Sequence, residues 1–418
     1  MIARTLPAAL ASAALAALGA CRPAPPLEDF AEVAAPAAGG SAEPNLAVGP
    51  SGRVYLSWVE PADSGHALRF AVLESGGWSS PRTIASGRRW FVNWADFPSL
   101  LAITDTQLVA HWLVRSSGAP YAYDVHVARS SDGGATWSAP VIPHAGRDRE
   151  RGFAGGEHGF VSLWRDGGTH AGLVWLDGGQ AALADARRRG GDTTAVPEMT
   201  LRAARLGPDG EVLDGAELDS RICDCCQTAA ALTAEGPVVV YRDRSPEEIR
   251  DIYVTRRVNG AWTEGRPVAA DGWQINACPV NGPSVAARDR RVVVAWFTQA
   301  AGERRVYAAF SDDAGATFGR RIRVDDGAPV GRVGVVLAPS GDALVSWLEE
   351  AGAAAEVRLR RVAADSTAGP AVVVARTQAA RVAGFPRVAL SAGGLVLAWT
   401  MPPDSGPTRV RTATARLR

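Results

Sequence analysis

Residues 291–298 read RVVVAWFT, a β-branched run that closes on an aromatic, and the same pattern returns six more times along the chain. The other copies are VYLSW (54–58), LVAHW (108–112), AGLVW (171–175), VVVY (238–241), LVSW (344–347) and LVLAW (395–399). Their aromatics, Trp58, Trp112, Trp175, Tyr241, Trp296, Trp347 and Trp399, follow one another at spacings of 51 to 66 residues. Such runs are too short for helices and rich in the side chains that suit a pleated strand. A further apolar strand precedes most of them, as in PNLAV (44–48), FPSLLA (97–102), PSVAA (283–287) and FPRVAL (385–390). A third follows, as in LRFAVL (68–73), DVHVAR (124–129), DIYVTR (251–256), RVYAAF (305–310) and VRLRRV (357–362), and most copies then turn into a fourth.

A four-stranded unit repeated at about 50 residues predicts an all-β chain, a β-propeller of four-stranded antiparallel blades. Each blade buries both faces only when neighbours stack on it. The aromatics count seven blades, with six as the alternative if one repeat is decoration. The last repeat stops after three strands, so EDFAEVAAP (28–36) is expected to supply the missing outer strand and close the ring. The expected boundaries are a signal peptide at 1–20, a linker with the closing strand at 21–43, and the propeller at 44–418.

Two turns between third and fourth strands carry a sharper signature. RSSDGGATWSAP (129–140) places Ser130, Asp132, Gly134, Thr136 and Trp137 in the order S-x-D-x-G-x-T-W, and FSDDAGATFGRR (310–321) repeats it with Ser311, Asp313, Gly315, Thr317 and Phe318. The aspartate suits capping of backbone N–H groups, the glycine a left-handed backbone, and the aromatic packing between blades. Shortened versions surround Trp78 and Trp262. These residues resemble the Asp-box (BNR) repeat of the sialidase superfamily, and as turn residues they read as structural.

That resemblance implies a ligand at the propeller mouth. Sialidases hold a substrate carboxylate with three arginines and use a tyrosine–glutamate nucleophile with an aspartate acid. This chain departs from the pattern: AEPNLAVGP (42–50) in the first repeat has no arginine, and the last tyrosine is Tyr307. The expected function is recognition of an anionic glycan or a partner protein. The alternatives are a divergent exo-acting glycoside hydrolase and a protein that binds copper or zinc through thiolates.

Mouth loops supply the candidates. YRDRSPEEIRDIYV (241–254) concentrates Asp243, Glu247 and Glu248 as tentative catalytic carboxylates, with Arg242, Arg244, Arg250 and Asp251 as ligand-binding groups. Arginine forks match carboxylates, and arginines beside acids shift pKa values for proton transfer. A self-satisfied ion-pair network is the competing reading. Loops entering other inner strands add Asp96, Glu157, His158 and Arg332. A long insert, GGQAALADARRRGGDTTAVPEM (178–199), reads as a flexible lid or disorder.

The five cysteines divide into Cys21 and a group of four, in RICDCCQTAA (221–230) and NACPVNGP (276–283). Cys223, Cys225 and Cys226 precede the fourth inner strand and Cys278 the fifth, so they gather at the mouth. Three readings stay open: disulfides, with Cys225 or Cys226 bridged to Cys278; a Cu(I) or zinc site with His158 as an extra ligand; and a redox-active pair.

The N-terminus resembles a bacterial lipoprotein signal: MIAR, a short apolar run, then L-G-A-C at 18–21. The resemblance implies cleavage before Cys21, lipidation of its thiol and anchorage in the cell envelope, facing periplasm or exterior. The 44 basic residues, all arginine, balance 44 acidic ones, which gives no reason to expect nucleic acid as partner.

Overall fold

The computed structural model describes residues 30–63, 65–151, 155–402 and 406–417. Cys21 and the expected signal peptide lie outside them. Seven antiparallel sheets form a seven-bladed propeller, so the six-blade alternative falls. Blade 1 spans Ala42–Val48 to Arg82–Gly87, blade 2 Ser99–Ala102 to Tyr123–Ser130, and blade 3 His158–Arg165 to Val212–Asp219. Blade 4 runs from Ala229–Thr233 to Arg266–Pro267, blade 5 from Ser284–Arg288 to Ile322–Arg323, and blade 6 from Pro329–Leu337 to Ala368–Thr377. Blade 2 keeps only a bridge, Val127 to Val141, where the others have a fourth strand. No helix among the described residues is long and apolar enough to cross a membrane.

Blade 7 takes three strands from the chain's end, Arg387–Ser391, Gly394–Met401 and Arg409–Ala415, and its outer strand from the beginning. Ala31–Val33 lies antiparallel to the last strand, with Ala31 opposite Thr414. The Thr412 hydroxyl donates to the Val33 carbonyl at 2.6 Å, and Glu32 pairs with Arg411. The ring is therefore fastened by antiparallel pairing across the two ends of the chain, which covers an edge that would otherwise stay open.

The aromatics that end the repeated pattern sit in second strands and wedge between blades. Trp58, Trp296 and Trp347 are fully buried. Their indole N–H groups are satisfied by carboxylates: Trp58 donates to Glu60 at 2.7 Å, Trp296 to Asp271 at 2.7 Å, and Trp347 to Glu349 at 2.5 Å. Trp175 does the same with Asp177 at 2.9 Å. A buried indole thus contributes its full apolar area without an orphaned donor.

At the two signature turns, the Thr136 and Thr317 N–H groups donate to Asp132 and Asp313 at 2.9 and 2.8 Å. Gly134 and Gly315 take φ of 86° and 81°. A Cβ on Gly134 would lie 2.4 Å from the Phe70 ring of blade 1, so the turn nests against the preceding blade.

Within the blade 3 insert, expected as a flexible lid or disorder, Gly179–Arg189 forms an α-helix. Ala, Leu and Arg favour helix, and Arg187, Arg188 and Arg189 occupy the last turn, where cations suit the helix dipole.

Truncating one wedge tests the architecture. Trp347→Ala is expected to cost about 3–5 kcal/mol in a denaturant titration, the usual price of emptying a core aromatic. A loss below about 1 kcal/mol would show that the blades hold together without it.

Candidate functional site

The inner strands of all seven blades line a central channel of about 280 Å³. At its mouth, polar residues leading into one inner strand hold the next blade. Asp96 accepts the Phe160 N–H at 2.7 Å, joining blades 2 and 3. Gln227 accepts the Gly282 N–H at 2.8 Å, and Asn281 accepts the Arg332 N–H at 2.7 Å, which carries the series through blades 4, 5 and 6. Phe160 and Arg332 take φ of 53° and 55°, the backbone kink that turns each N–H toward its acceptor. Gly159 is required beside this latch, because a Cβ there would stand 2.0 Å from Asp96 Oδ2.

Several expected ligand residues are therefore committed to the ring. Arg242 donates to the carbonyls of Asn281, Arg250 and Phe297 at 2.5 to 3.2 Å while lying over the Trp273 ring. Arg332 donates to the carbonyls of Ala379, Ala380 and Gly384 and is held over Trp94. Asp251 caps the N–H groups of Gly272 and Trp273 at 2.9 and 3.0 Å. These three are corrected from ligand-binding to structural: each is buried, with its polar atoms turned inward.

The charged loop of blade 4 largely answers its own charges. Glu248 accepts from Arg244 at 2.7 Å and from Arg250 at 2.8 Å. Led by the Arg244 hydrogen bond and opposed by desolvation, these contacts hold its carboxyl down near 2. Glu247 is exposed, and its carboxylate accepts the Ser245 hydroxyl at 2.9 Å. Asp243 differs: burial, then the neighbouring Asp219, pushes its carboxyl up to about 7.

On the blade 2–3 side, the Tyr123 hydroxyl stands 2.9 Å from both Asp96 and Glu157. Burial raises Asp96 to about 7 against the stabilising Phe160 and Tyr123 bonds, and raises Glu157 to about 8. Burial raises Glu43 as well, and the Asp96 charge adds to it.

The four cysteines do gather at the mouth, between blades 4 and 5. Cys225 and Cys278 form a disulfide with a Cα–Cα distance of 5.9 Å, which staples the two loops. Cys223 and Cys226 are free and buried, with sulfurs 3.1 Å apart, and Cys223 Sγ lies 3.9 Å from Cys225 Sγ. A Cβ on Gly282 would lie 2.1 Å from the Gln227 carbonyl, so these two loops touch backbone to backbone. Burial alone would raise both thiols. It does so at Cys223, but at Cys226 it is outweighed by the Cys223 hydrogen bond, Arg242, the Asn281 N–H and Arg250, which bring the thiol down to about 7. Arg250 also donates to Cys223 Sγ at 3.4 Å.

His158 is corrected too. Its ring stacks on His144, 3.7 Å between centroids, at the blade 2–3 junction rather than beside the thiols. His144 shows no metal-ligand spacing in the sequence, which offers only its distance of four positions to Asp148, its hydrogen-bond partner at 2.6 Å. Arg387 in FPRVAL lines the channel over the Phe97 ring, with no hydrogen bond or ion pair among the described residues.

No protein-family model matches the chain, and no curated protein matches its sequence. Solved structures do resemble it. The polysaccharide lyase Uly1 aligns over 90% of this chain and 90% of its own, with a TM-score of 0.55 at 9% identity. A protein of unknown function from Dyadobacter fermentans aligns over 91% and 95%, with a TM-score of 0.49 at 14% identity. The Hadza microbial sialidase Hz136 aligns over 74% of this chain and 63% of its own, with a TM-score of 0.41 at 14% identity. At such identities the likeness is one of fold, and the class it defines is the seven-bladed propeller, with sialidases and a polysaccharide lyase among its structural neighbours.

The raised carboxyls predict a pH dependence. Unfolded, these groups titrate near 3.8 and 4.5, while folded Asp96, Asp243 and Glu157 hold their protons to about 7, 7 and 8. The folded state binds more protons across that window, so stability present below about pH 4 is lost as pH rises through it. Cys226 works the other way between about 7 and its ordinary 9. Buried His111 and His158, held down to about 3 and 4, work against the carboxyls by adding stability as pH rises toward 6.5, so the carboxyl contribution is read by difference. Between pH 5 and pH 7 the denaturation midpoint of Asp96→Asn should rise relative to that of the unaltered protein; parallel profiles would contradict the burial described for Asp96.

Proposed function

We propose that this protein is an extracytoplasmic propeller that binds a soft metal ion, Cu(I) or zinc, through the thiols at its mouth. The observation that carries the reading is the pair of free, buried thiols of Cys223 and Cys226, whose sulfurs lie 3.1 Å apart. Thiolate is the form that binds metal, and soft sulfur donors select Cu(I) and zinc. The Cys223 hydrogen bond, Arg242, the Asn281 N–H and Arg250 all favour the thiolate of Cys226. With Cys225 engaged in the staple, Cys223 and Cys226 are the two available donors. Metal–sulfur bonds of about 2.3 Å place two sulfurs on one ion roughly 3.8 to 4.6 Å apart. Starting from 3.1 Å, the pair opens by about 1 Å to admit it. Lipid attachment through Cys21 would hold the propeller at the envelope, where such ions are met outside the reducing cytoplasm.

Titrating the purified chain, with Cys223 and Cys226 reduced and the Cys225–Cys278 disulfide intact, with Cu(I) against a chromogenic chelator should reveal one ion per chain. Cys223→Ser and Cys226→Ser should each weaken binding at least about 100-fold, the scale of losing one of two donors. Protein isolated without reductant that carries a Cys223–Cys226 disulfide and binds no copper would sink the reading.

One observation favours a second reading, recognition of an anionic ligand such as a glycan. Arg387 faces the channel without a carboxylate partner, and burial lowers its guanidinium to about 10. The half-buried guanidinium is only partly hydrated, and a ligand carboxylate would answer it bidentately. Glucuronic acid and N-acetylneuraminic acid are the probes. Calorimetry should register binding that Arg387→Gln weakens at least about tenfold; equal heats for both proteins would dismiss it.

A further inference from the structure

We propose that Asp124, His144 and His158 form a second metal site, for a divalent transition ion such as Zn²⁺, at the junction of blades 2 and 3. It is independent of the mouth thiols. Asp124 is the second residue of the third strand of blade 2, His144 follows that blade, and His158 opens the inner strand of blade 3. The three offer ligand atoms that all lie within 4.8 Å of one another. No two of them are closer than 14 positions in sequence, so no ligand spacing is visible in the chain.

The two edges of the stacked histidine pair differ. On one edge, His144 Nδ1 donates to Asp148 Oδ2 at 2.6 Å, and His158 Nε2 stands 3.6 Å from the same oxygen. Arg147 reaches this edge as well, bonding Asp148 at 2.7 Å and Asp177 at 2.6 Å, so its carboxylates already face a cation. On the other edge, Asp124 Oδ1 lies 3.9 Å from His144 Nε2 and 3.8 Å from His158 Nδ1. Among the described residues no arginine makes an ion pair with Asp124.

His144 is buried, and its Nε2 has no hydrogen-bond partner among the described residues. A buried imidazole nitrogen left unmatched is unfavourable unless something occupies it. The partner at Nδ1 fixes the answer: with its proton directed at Asp148, His144 turns the Nε2 lone pair toward Asp124. A carboxylate behind a histidine is the arrangement that orients metal-binding imidazoles. His158 Nδ1 faces the Tyr123 carbonyl at 3.3 Å, past the usual hydrogen-bond range, and exchanges a weak contact for a metal bond.

The distances suit a small ion. Zinc–nitrogen bonds of about 2.0–2.1 Å set donors around a tetrahedral ion roughly 3.3 Å apart, so the two gaps to Asp124 close by about half an ångström, and the stacked rings, 6° from parallel, turn against one another to bring both in-plane lone pairs onto one ion. Two neutral imidazoles and one carboxylate make a borderline donor set, which suits Zn²⁺ better than Cu(I). Asp124 is 24% exposed, so the ion enters from its side and keeps a water as its remaining ligand.

Cobalt(II) reports on the ligand set directly. The full chain carrying Cys223→Ser and Cys226→Ser, stripped with chelator, is titrated with Co²⁺ and then with competing Zn²⁺. One Co²⁺ per chain with visible ligand-field bands, no sulfur-to-metal charge transfer and displacement by Zn²⁺ is expected. Asp124→Asn and His144→Gln in that background should each weaken binding at least tenfold. His144→Gln removes a buried ring; should it fail to fold, Asp124→Asn, which keeps the shape, decides alone. No Co²⁺ binding in the double-serine protein, or binding that Asp124→Asn leaves unchanged, would overturn the site. Because the thiols are absent throughout, neither result bears on the Cu(I) reading.

Discussion

A propeller blade is a sheet with two apolar faces, and nothing inside the blade covers either one. Burial between neighbours is the constraint from which the rest of this structure follows. The second-strand aromatics meet it: Trp58, Trp296 and Trp347 fill the space between blades while a carboxylate takes each indole N–H. Stacking of this kind stabilises only if the ring is complete, because a missing contact leaves two faces in water. The three residues Ala31–Val33, paired with the last strand, therefore carry weight beyond their length.

Closure also governs the chemistry at the mouth. Loops entering the inner strands run close together, and their backbone N–H groups need acceptors away from water. Asp96, Gln227 and Asn281 supply them, and Arg242 and Arg332 satisfy carbonyls in return. Groups that look like ligand donors in the sequence are thus largely consumed in holding blades together. What the ring leaves over is smaller and more specific: two thiols beside a disulfide, one channel arginine, and a stacked histidine pair.

The thiols and the histidines are answered by different electrostatics. Around Cys226, Arg242 and Arg250 offset the desolvation that would keep a buried thiol protonated. Around His158, burial and the neighbouring His144 favour the neutral ring and bring it down to about 4. Thiolate and neutral imidazole are the forms each residue needs as a metal ligand. The same fold therefore presents a soft donor pair and a borderline donor set two blades apart.

Much of this was legible in the chain. Strand period, terminal aromatics and the short final repeat determined seven blades and the origin of the closing strand, because a two-residue alternation and a fixed repeat length are local properties. The gathering of Cys223, Cys225, Cys226 and Cys278 at the mouth was also readable, since each precedes an inner strand. The helix at Gly179–Arg189 was legible in its Ala, Leu and Arg content, although the insert reads first as a flexible lid or disorder. The pairing of Cys225 with Cys278, the diversion of Arg242 and Arg332 into carbonyl contacts, and the meeting of Asp124, His144 and His158 were decided only by the tertiary structure. Those outcomes depend on which loops the ring brings within a few ångströms, and on which donors and acceptors burial forces into pairs, and neither is a property of any single segment.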